Sequence, residues 1–468
     1  MDIKIISHGA AREVTGTCHE IQIGDKAILL DCGMFQGKRS EAAVKNTSFT
    51  FDPKTHIDAL VLSHAHMDHS GRIPLLYKLG FERPIFCTYA TQDLTAVMLQ
   101  DSAYIQEKDE DFHRRHLGTS MLQKGPLYDQ KDAAEVMKLF VGKNYHEPFQ
   151  VIPGVQCTFY EAGHILGSAM LLLEIDTGGK TVRLGFTGDV GRSTLPIIRD
   201  PEAMPQVDYL ICESTYGDRL HDDIATARGK LRDVVIKTAE RGGKVLIPAF
   251  SLERTQEIVY DLHTLWDAKE IPAVPIIIDS PLASRVTGIF QKHPECYDQD
   301  IYDKFLKRAH NPFQFSLVTY TESVEDSKEL NGARGPMVIM AGSGMCEAGR
   351  IRHHLKNELS DARNTVLAVG YMAENTLGRR IIDKDITEVR IFDEVIRKKC
   401  EVQYINAYSG HGDKNDLDRL IQSVKDLKGL YLVHGEESSM YALAERNTVA
   451  REMQVTLPER GKEYIITA

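Results

Sequence analysis

The segment VLSHAHMDHSGRIP, residues 61–74, constrains this chain more than any other stretch of its sequence. It follows the apolar run ALVL at 59–62 and places four metal-binding residue types within six positions: His64, His66, Asp68 and His69. In an extended segment, side chains two positions apart point to the same side, so His64 and His66 can reach one ion together. Imidazole and carboxylate groups suit zinc. The pattern predicts a metal site at the end of a buried strand, and a polar loop with hydrogen-bonded histidines is the alternative.

Three more segments repeat the order of apolar strand, ligand-type residue and glycine. They are YEAGHILGSAM with His164, LGFTGDVGR with Asp189 and YLVHGEE with His434. Each residue alone is typical of a turn, but together they complete the ligands of two metal ions and leave positions for water. We expect Asp31, in ILLDCG, to orient a ligand histidine or to cap the turn after its strand. The expected ligand sets are His64, His66 and His164 for one ion, Asp68, His69 and His434 for the other, and Asp189 bridging both.

Length and composition set bounds on the class of protein. A chain of 468 residues is long enough for two domains. The net charge of −11 disfavours a general nucleic-acid-binding surface, so an anionic partner requires a local patch or bound cations. The eight cysteines form no CxxC pair, which disfavours a disulfide framework or a zinc ribbon. The N-terminal MDIKIISHGA has no signal-peptide core and no apolar run has membrane-spanning length, so we expect a cytoplasmic protein.

The pattern of apolar and polar residues changes along the chain. Short apolar runs such as KAILLD and MLLLEI make the first half strand-rich, and a polar helical stretch over 91–145 interrupts them. From about residue 220, helical and strand patterns alternate, which indicates a parallel α/β unit. After about residue 400, EVQYINAYSG and GLYLVHGEE return to strands with polar tips. This layout predicts one α/β domain inserted into another.

The order of Asp31, the HxHxDH motif, His164 and Asp189 resembles the metallo-β-lactamase superfamily. ICESTYGDR with Glu213, AYSGHGD with His411 and LVHGEE with His434 resemble motifs A, B and C of its β-CASP branch. The resemblance is strongest to RNA-cleaving members, similar to the nuclease subunit of pre-mRNA 3′-end cleavage and its prokaryotic homologues. Other segments resemble recurrent blocks of that branch: GAAREVTGTCH, GGKVLIPAFSLERTQEI, IIIDSPLA, AGSGMCEAGRIRHHL and VGYMAENTLGRR.

This resemblance implies an α/β fold class and a domain plan. A four-layered αββα metallo-β-lactamase domain would comprise residues 1–216 and 401–468, and an inserted α/β β-CASP domain would comprise 217–400. Histidine at motif C, here His434, is typical of members that act on RNA rather than DNA. One residue departs from the family pattern, because the acidic Glu253 stands where a small residue is common, in a segment expected near the substrate.

Phosphodiester hydrolysis would need a nucleophile, charge neutralisation and a proton for the leaving oxygen. Two zinc ions can lower the pKa of a water and bind a phosphate oxygen. His411 is the candidate general acid, and Glu213 would favour its charged form; a buried carboxylate ending a strand is the alternative for Glu213. We therefore expect Asp68, Glu213 and His411 to be catalytic. The expected products carry a 5′-phosphate and a 3′-hydroxyl.

Contacts to the RNA backbone are predicted from AGSGMCEAGRIRHHL and from exposed arginines. The backbone N–H groups of Ser343, Gly344 and Met345 could hold a phosphate at a helix N-terminus, or form a plain tight turn. Arg350, Arg379 and Arg380 could line a substrate groove, or simply be solvated.

Three classes of function stay open on the sequence alone. The favoured one is a two-zinc ribonuclease with an RNA substrate and no membrane partner. The others are a small-molecule metallohydrolase of thioesterase or lactonase type, and a non-catalytic RNA-processing subunit. The sequence leaves the oligomeric state open, a homodimer being one of the states it allows. Endonucleolytic cleavage is the expected mode, although the motifs do not distinguish it from exonucleolytic cleavage.

Overall fold

The structure is a computed structural model that describes residues 2–37, 39–117, 125–307, 311–370, 372, 376–451 and 453–467. The chain forms two compact units. The first comprises Met1–Ser193, Asp200–Leu220 and His411–Ala468, and the second comprises Thr194–Arg199 and His221–Gly410. Among the described residues, no helix combines the length and the apolar character that crossing a membrane requires.

The strands are numbered in chain order. They are β1 (Ile3–Gly9), β2 (Cys18–Ile23), β3 (Lys26–Leu30), β4 (Ala59–Val61), β5 (Ile85–Thr88), β6 (Phe140–Lys143), β7 (Phe149–Ile152), β8 (Val155–Glu161), β9 (Ala169–Asp176), β10 (Thr181–Phe186), β11 (Tyr209–Glu213), β12 (Lys244–Pro248), β13 (Ile276–Ile278), β14 (Val318–Tyr320), β15 (Met337–Ala341), β16 (Thr365–Val369), β17 (Glu388–Ile391), β18 (Glu394–Arg397), β19 (Glu401–Ile405), β20 (Gly429–Val433), β21 (Val455–Thr456) and β22 (Glu463–Ile466).

The α-helices are numbered in the same way, and two short 3₁₀ helices cover Val136–Leu139 and Pro294–Cys296. The α-helices are α1 (Arg39–Asn46), α2 (Met67–Ser70), α3 (Ile73–Lys78), α4 (Tyr89–Leu117), α5 (Gln130–Glu135), α6 (Ile224–Glu240), α7 (Arg254–Asp267), α8 (Pro281–Phe290), α9 (Gln299–Lys307), α10 (Val324–Glu329), α11 (Ile351–Glu358), α12 (Leu377–Ile382), α13 (Lys414–Ser423) and α14 (Glu437–Arg451).

Two seven-stranded sheets form the centre of the first unit. Their strand orders are β22-β1-β2-β3-β4-β5-β6 and β21-β20-β11-β10-β9-β8-β7. Side chains from the two facing sides make one apolar core, in which Ile5 and Val61 pack with Phe159, Leu171 and Ile211. Two sheets that pack face to face in this way remove one side of each from water.

Helices cover the outer side of each sheet in the first unit. Leu76 of α3 and Leu99 of α4 pack with Leu60 of β4 on the first sheet. Leu417 of α13 packs with Leu210 of β11 on the second. The layers are therefore helix, sheet, sheet and helix, which confirms the αββα fold class predicted from the sequence.

The second unit contains a six-stranded sheet of order β14-β13-β15-β12-β16-β19, in which every neighbouring pair is parallel. This confirms the parallel α/β unit that the alternating helix and strand patterns predict. A separate two-stranded ribbon pairs β17 with β18. The strand β19, which the sequence analysis assigned to the closing part of the first domain, pairs with β16 here. The second unit accordingly extends to Gly410.

The helical stretch predicted over residues 91–145 is only partly helical. The structure has α4 and α5 there, but residues 140–143 form β6, which pairs with β5 at the edge of the first sheet. Sheet pairing overrides the local helical pattern at these positions. Residues 118–124 of the predicted stretch lie outside the described residues, as do residues 371 and 373–375 of the block VGYMAENTLGRR.

Candidate metal centre and active site

The predicted ligands of the first unit lie at the carboxyl ends of strands. β10, β11 and β20 are mutually parallel neighbours, so their carboxyl ends share one edge of the sheet. Asp189 follows β10, Glu213 ends β11 and His434 follows β20. On the other sheet, β4 leads directly into His64. The apolar strands thus fix the backbone, and the loops after them carry the ligand-type side chains.

One group of side chains joins three imidazoles and a carboxylate. His66 Nδ1 lies 3.2 Å from His64 Nε2 and 3.1 Å from His164 Nε2. Asp189 Oδ2 lies 3.5 Å from the Nε2 atoms of both His64 and His164. The four side chains offer ligand atoms that all lie within 4.8 Å of one another, as a single ion would require.

A second group lies on the other side of Asp189. It combines Asp68, His69 and His434, whose ligand atoms also lie within 4.8 Å of one another. His434 Nε2 is 3.5 Å from Asp68 Oδ2, and His69 Nε2 is 3.2 Å from Asp189 Oδ1. The two oxygens of Asp189 therefore face different groups, which is the arrangement expected of a bridging carboxylate.

Asp31 fixes the orientation of two histidines. Its backbone has a φ of +62°, which turns the buried carboxylate at the end of β3 toward the HxHxDH segment. Asp31 Oδ2 accepts a hydrogen bond from His69 Nδ1 at 2.7 Å, which leaves Nε2 of that ring to face Asp189. Asp31 also accepts from the backbone N–H and the hydroxyl of Ser63, and that hydroxyl lies 3.0 Å from His64 Nδ1. Such contacts set the tautomer and angle of a metal-binding imidazole.

The electrostatics of the group formed by His64, His66, His164 and Asp189 suit a bound cation. Burial lowers the pKa of His64 well below its usual value and that of His66 to about 4, so both rings are in the neutral form that binds metals. Burial alone would raise the pKa of Asp189, but His434 and His69 outweigh it and hold the pKa well below its usual value. The Asp189 carboxylate is therefore ionised.

Two buried atoms mark the place where an ion fits. Asp189 Oδ1 and His434 Nε2 are inaccessible to water, and neither makes a hydrogen bond within the part of the chain that the structure describes. A buried polar atom without such a partner requires an explanation, and a bound ion is one. With a donor set of imidazole nitrogens and carboxylate oxygens, these residues fit zinc.

A histidine–glutamate pair lies beside the ligand groups. His411 Nδ1 is 3.2 Å and 3.3 Å from the two carboxylate oxygens of buried Glu213. Glu213 also accepts hydrogen bonds from the backbone N–H of Val190 and the hydroxyl of Thr215, both at 2.6 Å. The ring of His411 lies 4.6 Å from that of His164, and its side chain is 21% exposed. His411 therefore borders the ligand groups and also meets solvent.

The pKa of His411 is shifted by its neighbours. Burial by itself lowers it, but the carboxylates of Glu213 and Asp189 outweigh burial and raise the pKa to about 9. The pair therefore favours a protonated imidazole beside the ligand groups. A protonated imidazole in that position can donate a proton to a leaving group.

Comparison with known proteins identifies the family. Three family models match the chain: a metallo-beta-lactamase superfamily domain over residues 21–181, a Beta-Casp domain over 255–381, and a Zn-dependent metallo-hydrolase RNA specificity domain over 395–458. Ribonuclease TTHA0252 of Thermus thermophilus is 36% identical over 98% of this chain and 99% of its own length. This chain belongs to the metallo-β-lactamase superfamily. Its matches place it in the β-CASP branch.

Other relatives extend the comparison of this β-CASP protein. Transcription termination factor FttA of Methanosarcina mazei is 31% identical over 94% of this chain and 68% of its own length. Endoribonuclease YSH1 of Yarrowia lipolytica is 30% identical over 94% of this chain and 50% of its own length. A crystal structure of a protein of unknown function from Enterococcus faecalis V583 superposes with a TM-score of 0.57 at 12% identity and covers both chains fully, which speaks to fold alone.

The predicted phosphate contacts of this β-CASP protein lie in its second unit, and two of them have other roles. The Arg350 guanidinium donates to buried Asp279 at 2.7 Å and to the backbone carbonyl of Glu322, so it is held within the unit. The helix α11 begins only at Ile351, and the Ser343 N–H donates to the Ala348 carbonyl. The prediction that residues 343–345 form the N-terminus of this helix is therefore wrong, because a longer loop intervenes.

Three further residues from the sequence analysis differ in exposure. Arg379 and Arg380 are exposed on α12, as a contact to an anion requires. Glu253 is buried at the start of α7 with a φ of +64°, so it does not offer an exposed acidic group.

Sequence reasoning missed two hydroxyl residues that support the site. Thr215 donates to Glu213 and lies 3.0 Å from His434 Nδ1, so it links the His411–Glu213 pair to His434. Ser63 links Asp31 to His64. Their only sequence signal is position, because each lies within two residues of a motif residue. Small hydroxyl residues are too common in turns for that signal to decide.

Proposed function

We propose that this protein is a two-zinc ribonuclease that hydrolyses internal phosphodiester bonds of RNA to 5′-phosphate and 3′-hydroxyl products. His64, His66 and His164 would hold one ion, Asp68, His69 and His434 the other, and Asp189 both. The observation that carries the proposal is the convergence of these seven side chains with the His411–Glu213 pair at their margin. A non-catalytic binding subunit protonates no leaving group, so that pair counts against such a role.

Relatives support RNA as the substrate. Two of them are named ribonuclease or endoribonuclease, and a third is named a transcription termination factor. The domain match over residues 395–458 bears the description of RNA specificity. Histidine at position 434 agrees with the RNA-acting pattern of motif C. The chain is acidic, so RNA binding would depend on bound cations and local basic groups rather than on net charge.

The side chains of this protein divide the chemistry among them. Bound zinc would neutralise charge on the phosphate and lower the pKa of the attacking water. The Asp68 carboxylate, 20% exposed, can accept the proton that this water loses when its oxygen bonds to phosphorus. As the bond from phosphorus to the 3′ oxygen breaks, His411 can donate a proton to that oxygen. Glu213 holds the imidazole through Nδ1, which keeps the ring in place and favours its charged form.

The test is a cleavage assay on one RNA labelled either at its 5′ end or internally. The zinc-loaded chain is incubated with each substrate and the products are resolved by size, with simple thioesters and lactones as parallel substrates. We expect both labelled RNAs to give discrete oligonucleotides. A phosphatase should remove a phosphate from the 5′ ends that cleavage creates, and the esters should not be hydrolysed.

Other outcomes identify the alternatives. Release of the 5′ label only as mononucleotides would contradict internal cleavage. Ester turnover without RNA cleavage would favour a small-molecule hydrolase. Zinc binding without turnover of either substrate class would favour a non-catalytic subunit.

A further inference from the structure

The carboxyl ends of the parallel strands in the second unit lie at a surface to which no function has been assigned above. The chain runs from β12 to β13, β14 and β15 on one side of β12 and then to β16 and β19 on the other, so the order reverses at β12. In parallel sheets, ligands bind outside the carboxyl ends of the strands where the order reverses. The segments after β12 and β15 meet there, since the Ala249 N–H donates to the Ala341 carbonyl at 3.1 Å.

Phe250 presents an aromatic ring at this position. It lies two residues after β12 and is 44% exposed. Its carbonyl accepts hydrogen bonds from the N–H and the hydroxyl of Thr255, which fixes the backbone at the start of α7. A large apolar ring held open to solvent by a fixed backbone has a cost, because its apolar surface stays in contact with water.

The ring is also fixed on one side. A Cβ atom placed on Gly344 would lie 2.7 Å from two ring carbons of Phe250, so the ring packs directly on the glycine backbone. Any larger residue at position 344 would push the ring away. The glycine therefore leaves room for the ring to pack on the backbone from one side, and this contact limits the freedom that the ring would lose when a flat ligand stacks on it.

An exposed arginine lies on the helix that is joined to this loop. The Gly378 N–H donates to the Met345 carbonyl at 3.0 Å, which joins α12 to the loop that carries Gly344. Arg379 follows Gly378 and is exposed. The nearby carboxylate of Glu347 is occupied, because it accepts the Leu377 N–H. The loop that packs against Phe250 is thus hydrogen-bonded to the helix that carries the exposed Arg379.

We propose that this surface binds single-stranded RNA, with one nucleobase stacked on Phe250 and a neighbouring phosphate paired with Arg379. Proteins that bind single strands combine aromatic platforms with basic side chains in this way. The inference rests on the proposed function and names a substrate contact in the second unit. Phe250 and Arg379 are binding residues here, separate from the groups that hold or move protons.

The test measures RNA affinity in the zinc-loaded His411→Ala chain, so that cleavage is slow during the measurement. Phe250→Leu removes the aromatic face and keeps an apolar side chain, whereas Phe250→Trp keeps a stacking surface. Phe392→Leu is the matched control, because Phe392 is 37% exposed in the same unit but is covered by the Arg352 guanidinium at 4.3 Å. We expect Phe250→Leu to weaken binding by on the order of tenfold, and the other two variants to bind as the parent does.

An abasic scan locates the contact. Oligonucleotides that lack one base at successive positions are compared between the parent and Phe250→Leu. We expect one position at which removing the base weakens binding to the parent but not to the variant. Arg379→Gln should lower the slope of log affinity against log salt by about 0.7, the value for one phosphate of a single strand. Arg363→Gln, on an arginine paired with Asp361, should leave that slope unchanged.

Several results would overturn the proposal. The proposal is wrong if Phe250→Leu leaves the RNA affinity unchanged, or if Phe250→Leu and Phe392→Leu weaken binding equally. It is also wrong if the abasic scan shows no position-specific effect. Thermal unfolding of every variant separates a binding defect from a folding defect, and a Phe250→Trp variant that folds but fails to bind would also contradict stacking. Phe250-dependent binding without cleavage would refute the proposed activity alone, and cleavage unaffected by Phe250→Leu would refute this inference alone.

Discussion

At the scale of single residues, Asp189 has the most demanding position in the first unit. Its two oxygens face two different groups of ligand-type side chains, and Oδ1 makes no hydrogen bond within the described residues. No other side chain of the two groups faces both in this way among the residues described. The proposed ribonuclease activity therefore depends on this carboxylate more than on any single histidine.

We predict that Asp189→Ala abolishes RNA cleavage and lowers the zinc content of the purified chain. One carboxylate would serve both ions, so its removal takes a ligand from each. Asp176→Ala is the control, because Asp176 is an exposed carboxylate at the end of a strand in the same sheet. Metal analysis and a cleavage assay check the prediction. Near-normal activity with two zinc ions retained would rule out the bridging role.

His411→Ala should separate chemistry from metal binding. The seven ligand-type side chains lie elsewhere, so the variant should keep its zinc and its affinity for RNA. Loss of a general acid costs about 10²–10⁴ in rate. The defect should shrink on an RNA with a sulfur leaving group at the scissile position, because a thiolate departs without a proton. His146→Ala is the matched control, since His146 forms an exposed pair with Glu202. Loss of zinc, or an equal defect on the sulfur substrate, would make His411 a ligand or a positioning residue.

At the scale of elements, a buried carboxylate joins three segments of the second unit. Asp279, just after β13, accepts hydrogen bonds from Thr321, Ser327, Arg350 and His354 at 2.5–2.7 Å. Burial alone would raise the pKa of Asp279, but these donors, His354 first among them, outweigh it and hold the pKa well below its usual value. The four donors come from the segment after β14 and from α10 and α11, so one side chain links their positions.

Asp279→Asn should destabilise the chain by about 3–5 kcal/mol, the cost typical of removing one partner of a buried ion pair. Because the folded-state pKa is lowered, this stability is present above the unfolded-state pKa of about 3.9 and is lost as the pH falls toward the folded-state value. The difference between wild type and variant should therefore be constant near neutral pH and shrink below about pH 4.

Denaturant unfolding across that pH range measures the difference. Asp361→Asn is the control, because Asp361 pairs with exposed Arg363 and a surface pair contributes about 0–1 kcal/mol. The assigned role of the carboxylate is wrong if the difference in free energy of unfolding between wild type and Asp279→Asn stays unchanged on acidification. It is also wrong if that difference is no larger than the one for Asp361→Asn.

Local sequence patterns predicted the strands and the metal-binding motif better than they predicted which distant side chains contact each other. The HxHxDH motif was interpretable because side chains two positions apart share a side and because the strand before it is apolar. The role of Arg350 was not predictable in this way, because its partner Asp279 lies 71 positions away and no local sequence pattern indicates the pair. Arg72 illustrates the same limit. It is fully buried between the rings of Phe35 and Phe49, with its Nε donating to the Gly33 carbonyl, although arginine is usually exposed.

At the scale of the whole molecule, the family resemblance predicts the layers of the first unit and the alternating pattern predicts the parallel sheet of the second. Neither fixes the residue at which the chain returns to the first unit. β19 has the same short apolar pattern as a strand of either unit, and only its pairing with β16 assigns it to the second. Five strands of the first unit, β2, β6, β7, β21 and β22, were not predicted, because pairing with neighbouring strands rather than a continuous apolar run defines them.

The acidic chain should still prefer RNA over DNA. We predict faster cleavage of a single-stranded RNA than of the DNA with the same base sequence, as histidine at position 434 indicates within this family. Both polymers carry similar backbone charge, so a difference in rate reflects recognition of the ribose rather than electrostatic attraction. A competition assay with both labelled strands in one tube checks this. Equal rates on the two polymers would contradict the prediction.

The most direct test of the account is a zinc titration of the metal-stripped chain, with bound zinc and single-turnover cleavage of internally labelled RNA measured at each point. The account predicts no cleavage without zinc, two tightly bound ions per chain, and full activity only when the second ion is bound. Full cleavage by the metal-stripped chain, or zinc binding that never restores cleavage, would contradict the claim that these seven side chains form the catalytic centre of a ribonuclease.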